Sequence, residues 1–177
     1  GWLAGEDSGF NGVVSKATMG LHAEFGEWRV LDSPLSESLI VGAAIGAAMA
    51  GLVPVPEIQF SDFITCAFDQ IVEQASRMCY RTGGAQGVNI TIRVPIGGDV
   101  GGGLYHSQCN EAWFAHCPGL KVILLSTPYD AKGLLPAAMR DPNPVLYMEP
   151  KKLYRSVRTE VPADEYRITS ANAAPRR

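Results

Sequence analysis

Short apolar segments that alternate with helical segments constrain this chain more than any other feature of its sequence. Strand-like runs fall at residues 2–4, 53–58, 90–94, 121–125 and 145–148. Between them, apolar spacing predicts helices at residues 14–25, 33–51, 62–78, 111–115 and 130–140. Such alternation is typical of a three-layer α/β domain, in which a mostly parallel sheet carries helices on both faces. A chain of 177 residues is long enough for one such domain with a proper core.

Local signals predict where the longer helices begin and end. Ser33 followed by Pro34 has the form of a helix cap with proline at the first helical position, and Gly51 would close that helix. Asp62 is suited to cap the next helix, whose apolar positions recur at spacings of three and four. The apolar run at 39–53 is fifteen residues long. A membrane span needs roughly 18–20 residues, so we expect a buried helix there instead.

Net charge and cysteine content indicate which partners and which redox compartment to expect. The net charge of -3 provides no basic surface, so neither nucleic acid nor an anionic membrane is expected as a partner. Cys66, Cys79, Cys109 and Cys117 form no C-x-x-C pair. We expect them to be buried free thiols of a protein from a reducing compartment.

Glu37 is the first of two candidate functional groups. It is the only carboxylate near a helix that is otherwise small and apolar. A first-turn acid can simply interact with the helix dipole, an effect of about 0.3–1 kcal/mol. Alternatively, a carboxylate in a close-packed interface can exchange a proton with a ligand. Gly42 and Gly46, four residues apart, would let another backbone approach this helix closely.

The second candidate is the glycine-rich loop at 97–103, which leads to His106. It matches neither a phosphate-binding P-loop nor a dinucleotide fingerprint. An imidazole at the end of a pliable loop is suited to acid–base chemistry near neutral pH. A lone histidine in a loop also fits a structural role, and the residues alone leave both interpretations open.

Eleven short motifs then occur in order along the chain. They are G-E-D (5–7), D-S-P-L-S-E (32–37), E-I-Q-F-S-D-F (57–63), F-D-Q-I-V (68–72), Y-R-T-G-G (80–84), T-I-R-V-P (91–95), Y-H-S-Q (105–108), F-A-H-C-P-G-L-K-V (114–122), A-K-G-L-L (131–135), R-D-P-N-P (140–144) and L-Y-R-S (153–156). Over about residues 4–162, the sequence resembles the β subunit of the thiamine-dependent first component of 2-oxo-acid dehydrogenase complexes.

This resemblance implies a transketolase-like pyrimidine-binding domain at residues 1–162 that holds the aminopyrimidine of thiamine diphosphate. Residues 163–177 are expected to be a disordered tail, and the second α/β domain of such subunits is expected to be absent. No G-D-G followed by a metal-binding Asn occurs, so an α-type subunit is expected to hold the diphosphate and Mg²⁺. The other implied partners are a second β copy, making a heterotetramer, and a lipoyl-bearing acyltransferase. The implied location is the cytoplasm or the mitochondrial matrix.

The resemblance also implies roles for individual residues. Glu37 matches the glutamate that hydrogen-bonds the pyrimidine ring, and Gln59 and Phe63 match positions that line the ring pocket. Many relatives carry Tyr where Phe63 stands. His106 matches a histidine that acts on the substrate carboxylate or a later intermediate and assists transfer to lipoyl. The positions that match the surroundings of a monovalent cation such as K⁺ are Ile90, Thr91, Ala138, Asp141 and Asn143.

The implied activity is oxidative decarboxylation of a 2-oxo acid, either pyruvate or a branched-chain acid, with transfer of the acyl group to lipoyl. Two alternatives remain. Acetoin-cleaving or acyloin-forming thiamine enzymes share these motifs. A non-catalytic scaffold could have kept the fold and lost turnover, which the short chain favours and the retained Glu37, Gln59 and His106 oppose.

Overall fold

A computed structural model describes residues 1–9, 11–13 and 15–169. Within these residues, six strands form one sheet in the order β2-β1-β3-β4-β6-β5, and every neighbouring pair is parallel. The strands are β1 (Trp2–Gly5), β2 (Val30–Asp32), β3 (Pro54–Glu57), β4 (Thr91–Ile96), β5 (Lys121–Leu124) and β6 (Val145–Pro150). The predicted α/β class is confirmed. The five predicted strands are present with ends shifted by at most two residues, whereas β2 was not predicted.

The helices frame this sheet. They are α1 (Leu21–Phe25), α2 (Glu37–Met49), α3 (Met78–Arg81), α4 (Glu111–Ala115), α5 (Pro128–Met139) and α6 (Leu153–Ser156). The predicted boundaries of α4 are confirmed, and α6 was not predicted. In the part of the chain that the structure describes, no helix is long and apolar enough to cross a membrane.

Helix α2 begins three residues later than predicted. Its N-cap is Ser36, whose backbone is extended (φ -166°) and whose Oγ accepts a hydrogen bond from the Leu39 amide at 3.4 Å. The prediction of Ser33 as the cap is wrong, because the Ser33 amide instead donates to the Gly5 carbonyl at 3.1 Å and prolongs the extended segment. The delay places Glu37 at the first position of the helix.

The segment at 61–81 is helical but not one regular α-helix. A 3₁₀ helix (Ser61–Ala67) leads into a π-helical stretch (Gln70–Ala75) and then α3. Asp62 does not cap it, contrary to the prediction, because its carboxylate accepts hydrogen bonds from another segment, the backbone at 107–108. The predicted apolar positions are buried at Ile64, Ile71, Ala75 and Met78, whereas Phe68 is 39% exposed.

The helix predicted at 14–25 is shorter in the structure. Lys16 and Gly20 have left-handed backbone conformations, with φ of 63° and 88°. A right-handed helix cannot run through such residues. Among the described residues of this segment, only 21–25 are helical, and Gly26 follows as the C-cap.

The core lies mainly on one face of the sheet. There α2, the 61–81 segment and α4 cover the central strands with a large apolar cluster that includes Val41, Ile64 and Phe114. A smaller cluster joins β5, β6 and α5 around Tyr147. Next to it, α1, α5 and α6 border an apolar groove of about 760 Å³ over the sheet.

The segment after residue 162 lies along α5. The Tyr166 ring stacks on Tyr129 with centroids 4.5 Å apart, and the Ile168 amide donates to the Gly133 carbonyl at 3.1 Å. Gly133 permits this contact, since a Cβ there would come within 2.6 Å of the Tyr166 ring. Residues 170–177 of the predicted disordered tail lie outside the described residues.

The cysteines are free, as expected, but the prediction that they are buried is wrong. Cys66 and Cys109 are exposed, and Cys79 and Cys117 are half-buried. Cys66 shows the reason: it belongs to the 3₁₀ helix, whose periodicity differs from the α-helical one, and it faces solvent.

Candidate active site at the carboxyl ends of the strands

The loops that follow β1, β3, β4 and β6 meet at one edge of the sheet, because all strands are parallel. Ligands of open α/β sheets bind at this carboxyl edge. The loop after β1 supplies Asp7, the loop after β3 supplies Gln59, and the glycine-rich loop after β4 leads to His106. Helix α2, which follows β2, supplies Glu37 at its first position. The fold therefore brings the predicted side chains to the same edge.

Glu37 belongs to an acidic group at this edge. Its side chain is buried, with only 7% of the residue exposed. Burial raises the pKa of nearby Glu6, and the charges of Asp7 and Glu37 raise it further. Gln59 Nε2 donates a long hydrogen bond of 3.5 Å to Asp7 Oδ2. The loop after β1 therefore places Glu6 near Glu37 and Asp7 beside Gln59. Neither acidic residue was predicted as a site residue, although the motif G-E-D includes both.

His106 lies in an aromatic corner. Its ring contacts Phe60 and Phe63 edge-to-face, at centroid distances of 4.7 and 5.3 Å. Its Nδ1 is 3.2 Å from the Gly102 carbonyl oxygen. Gly102 is required here, because a Cβ would come within 2.5 Å of the His106 Cβ. The structure thus brings two of the predicted site residues, His106 and Phe63, into contact, together with Phe60.

The segment after His106 is fixed to the 3₁₀ helix. The Ser107 and Gln108 amides donate to the Asp62 carboxylate at 3.3 and 3.4 Å. Ser61 Oγ donates to the Gln108 carbonyl at 2.9 Å, and the side-chain Nδ2 of Asn110 donates to the Ser61 carbonyl at 2.8 Å. This role of Asp62 was not predicted from the sequence, because an aspartate at this position also suits a helix cap.

Lys151, the residue that follows β6, contacts the backbone of His106. Its Nζ donates to the His106 carbonyl at 2.7 Å and lies 4.7 Å from the centroid of the Phe60 ring. Burial lowers the pKa of Lys151, whereas the charge of Asp62 opposes that change. Nothing in the sequence pattern identified this lysine, because its partner is a backbone carbonyl forty-five residues away.

Beneath the site, a buried arginine joins three strands. Arg93 on β4 binds Glu149 on β6 through Nε and Nη2, both at 2.8 Å, and binds Glu57 on β3 through Nη1 at 2.6 Å. The Tyr154 hydroxyl also donates to Glu149. Burial raises the pKa of Glu57 to about 7 despite the opposing effect of Arg93, and the charge of Glu149 adds to the rise. We call these four residues the Arg93 cluster.

A cavity of about 450 Å³ opens beside this cluster. Its walls include Glu57, Gln59, Phe60, Lys151 and Tyr154. The cavity therefore lies between Gln59, which was predicted to contact the pyrimidine ring, and the lysine whose ammonium bonds the His106 carbonyl.

The predicted cation residues gather at the opposite, amino edge of the sheet. The Ile90 carbonyl accepts from the Val145 amide at 2.9 Å, and the Ala138 carbonyl accepts from the Asp141 amide at 3.1 Å. Asp141 Oδ1 accepts from the Asn143 backbone amide at 3.0 Å, and Asp141 Oδ2 pairs with Lys121. Thr91 Oγ1 is buried without a partner in the described part of the chain. No cluster of three or more His, Cys, Asp or Glu suited to a metal occurs among residues 1–9, 11–13 and 15–169.

Comparison with known proteins agrees with this arrangement. The family model described as "Transketolase, pyrimidine binding domain" matches residues 2–157. The chain is 52% identical over 176 residues to the 2-oxoisovalerate dehydrogenase subunit beta of Bacillus subtilis, covering 99% of this chain and 54% of that protein. It is 48% identical over 169 residues to the pyruvate dehydrogenase E1 component subunit beta of Acholeplasma laidlawii, covering 96% and 52%.

A mitochondrial relative shows the same extent of similarity. The 2-oxoisovalerate dehydrogenase subunit beta of Dictyostelium discoideum is 49% identical over 170 residues, covering 96% of this chain and 46% of that protein. The chain thus spans about half the length of the curated relatives it matches.

Proposed function

Since the chain belongs to the family of transketolase pyrimidine-binding domains, we propose that it forms the β-type half of a thiamine diphosphate-dependent 2-oxo-acid dehydrogenase. The proposed reaction is oxidative decarboxylation of pyruvate or a branched-chain 2-oxo acid, with transfer of the acyl group to lipoyl. The observation that carries this proposal is that buried Glu37, at the start of α2, lies at the same edge of the sheet as the acidic loop after β1, whose Asp7 accepts a hydrogen bond from Gln59. We assign the domain to residues 1–162.

The residues at the carboxyl edge suit an aminopyrimidine ring. Glu37 offers a buried carboxylate that can exchange a proton with a ring nitrogen. Gln59 offers an amide, and Phe63 offers a half-buried aromatic face. When bound, thiamine diphosphate supplies the electron sink for decarboxylation. In this proposal the chain's own residues hold the ring and move one proton at Glu37.

His106 is proposed to act on the substrate carboxylate or a later intermediate. Because Nδ1 faces the Gly102 carbonyl oxygen, we assign the proton of the neutral ring to Nδ1. The other nitrogen, Nε2, can then accept a proton from a substrate and return it. Such an exchange suits transfer of the acyl group to lipoyl.

The rest of the proposed site comes from partners. An α-type subunit would hold the diphosphate and Mg²⁺, a second β copy would complete a heterotetramer, and a lipoyl-bearing acyltransferase would accept the acyl group. K⁺ near Thr91 would give the orphaned Oγ1 a partner, with further contacts from the carbonyls around Ile90 and Ala138 and from Asp141 and Asn143. We propose the cytoplasm or the mitochondrial matrix as the location, since one relative is named as mitochondrial and another is bacterial.

Calorimetry of thiamine diphosphate with Mg²⁺ tests the shared site. We expect binding when the chain is mixed with its α-type subunit and much weaker binding to the chain alone. Glu37→Gln should weaken binding in the mixture, while Glu24→Gln, at an exposed position in α1, should not. Absence of binding in the mixture would contradict the proposal and favour a scaffold. A mixture that binds the cofactor but turns over only acetoin would indicate an acyloin-type enzyme.

A further inference from the structure

We propose that Lys151 is a positioning residue for His106. Its effect on catalysis rests on the proposed function, in which His106 acts on the substrate or a later intermediate. Lys151 contacts the backbone of His106 and not its ring, so it acts through the position of the histidine. Neither the sequence pattern nor the resemblance assigned it a role.

Lys151 is buried, and its ammonium contacts both the backbone of His106 and the Phe60 ring. Only 9% of the residue is exposed. Its ammonium donates to the His106 carbonyl at 2.7 Å, the length of a charge-assisted hydrogen bond. The same ammonium lies over the Phe60 ring, whose edge-to-face partner is the imidazole of His106. One lysine therefore fixes both the backbone of His106 and a ring that the imidazole packs against.

Lys151 is itself held firmly. Its backbone amide donates to the Ile96 carbonyl at 2.9 Å, which continues the pairing of β6 with β4 by one residue. Because the Lys151 backbone is fixed to β4 and β6, its hydrogen bond to the His106 carbonyl holds the loop at a defined place relative to the sheet. The Asp62 carboxylate, which lies on the 3₁₀ helix, holds the following two amides.

The loop needs such an anchor. Five of the seven residues at 97–103 are glycine, and Gly97, Gly101 and Gly103 have positive φ. The hydrogen bond from His106 Nδ1 stays inside this loop, because its partner is Gly102. It orients the ring relative to the loop but does not attach the loop to the sheet. A displacement of about 1 Å at a catalytic group can cost roughly 10²-fold in rate.

The test on this chain alone uses Lys151→Met, which keeps the apolar stem and removes the ammonium. The control is Lys152→Met, because Lys152 is the next residue and is exposed. The chain has three histidines, so ring-labelled histidine gives a simple NMR spectrum. In Lys151→Met we expect the His106 ring signals to shift and broaden, with His22 and His116 unchanged. The Ser107 and Gln108 amides should exchange roughly tenfold faster or more, the effect of losing a charged hydrogen bond.

Lys151→Arg should restore most of the His106 signal, because guanidinium keeps a donor and a cation over Phe60. If Lys151→Met does not fold, Lys151→Gln is measured instead and should show the same changes. A His106 spectrum that is the same in Lys151→Met and Lys152→Met would overturn the proposal.

Turnover in the mixture with the α-type subunit tests whether the position of His106, as set by Lys151, affects the reaction. We expect kcat for acyl transfer to lipoyl to fall roughly 10²-fold in Lys151→Met, with KM for the 2-oxo acid within about twofold and recovery in Lys151→Arg. Equal losses in kcat and binding would indicate a merely structural lysine and overturn the positioning role. If the unaltered mixture turns over no 2-oxo acid, the proposed function fails, and the NMR comparison still decides whether Lys151 positions His106.

Discussion

At the scale of single residues, the site depends on side chains whose neighbours lie far away in sequence. Glu37 and His106 were predicted because their chemical types stand out in their local sequence. Asp7 and Lys151 were not predicted, because an aspartate in a loop and a lysine after a strand are common. Their partners, Gln59 and the His106 carbonyl, are distant in sequence and become neighbours only in the fold. Residue identity could therefore suggest where chemistry occurs, but not what holds it in place.

Glu37→Gln should abolish turnover and leave the fold intact. The amide keeps the size of the side chain but cannot exchange the proton that the proposed mechanism needs. We expect a loss of roughly 10²–10⁴-fold in kcat with the α-type subunit present, and a change of less than about 1 kcal/mol in the free energy of unfolding. Urea titration and a 2-oxo-acid assay measure the two quantities, with Glu24→Gln as the control. Turnover at the unaltered rate would remove Glu37 from the reaction.

His106→Ala should impair transfer to lipoyl more than the initial decarboxylation. The imidazole is proposed to exchange a proton during transfer, whereas the bound cofactor supplies the electron sink for decarboxylation. Release of CO₂ with an artificial electron acceptor and transfer to a lipoyl domain are measured separately, and transfer should fall roughly 10²-fold further. His116→Ala, at an exposed position after α4, serves as the control. Equal losses in both assays would contradict the assignment.

At the scale of secondary structure, strands were predicted more accurately than helices. Central strands are buried on both faces, so their apolar runs are continuous, as in β6, which begins with four buried apolar or aromatic residues at 145–148. The 61–81 segment changes between 3₁₀, π and α geometry, which a single spacing rule cannot anticipate. Strand β2 has one buried residue out of three, too few to produce a visible apolar run.

Ser36→Ala tests the observed start of α2. The Ser36 side chain satisfies one amide of the first turn through a long hydrogen bond of 3.4 Å. Its loss should therefore lower the free energy of unfolding by about 0.5–1 kcal/mol, the lower part of the range for N-caps. Ser38→Ala, two residues along and exposed, should change stability by less than about 0.5 kcal/mol. If Ser33→Ala proved more destabilising than Ser36→Ala, the N-cap would have been assigned wrongly.

At the scale of the whole molecule, we propose that the chain supplies one wall of a site that another subunit completes. The residues proposed to hold the ring lie at one edge of a single sheet, while no diphosphate-binding motif accompanies them. The order of the motifs was sufficient to predict the class of fold, because alternating segments leave few ways to build a parallel sheet. The Arg93 cluster could not be predicted, since its ion pairs depend on which strands are neighbours.

The Arg93 cluster should make stability depend on pH in an unusual direction. The pKa of Glu57 is about 7 in the folded chain, above its ordinary value of 4.5, so the folded form holds an extra proton between these values. This contribution is complete below about pH 4.5 and is lost as pH rises through 7, by about 3 kcal/mol in total. Urea titrations from pH 4.5 to 8 should show this decline in the unaltered chain and in Glu160→Gln, at an exposed position, but not in Glu57→Gln. A Glu57→Gln variant that loses stability over this range as steeply as the unaltered chain would show that Glu57 stays ionised beside Arg93.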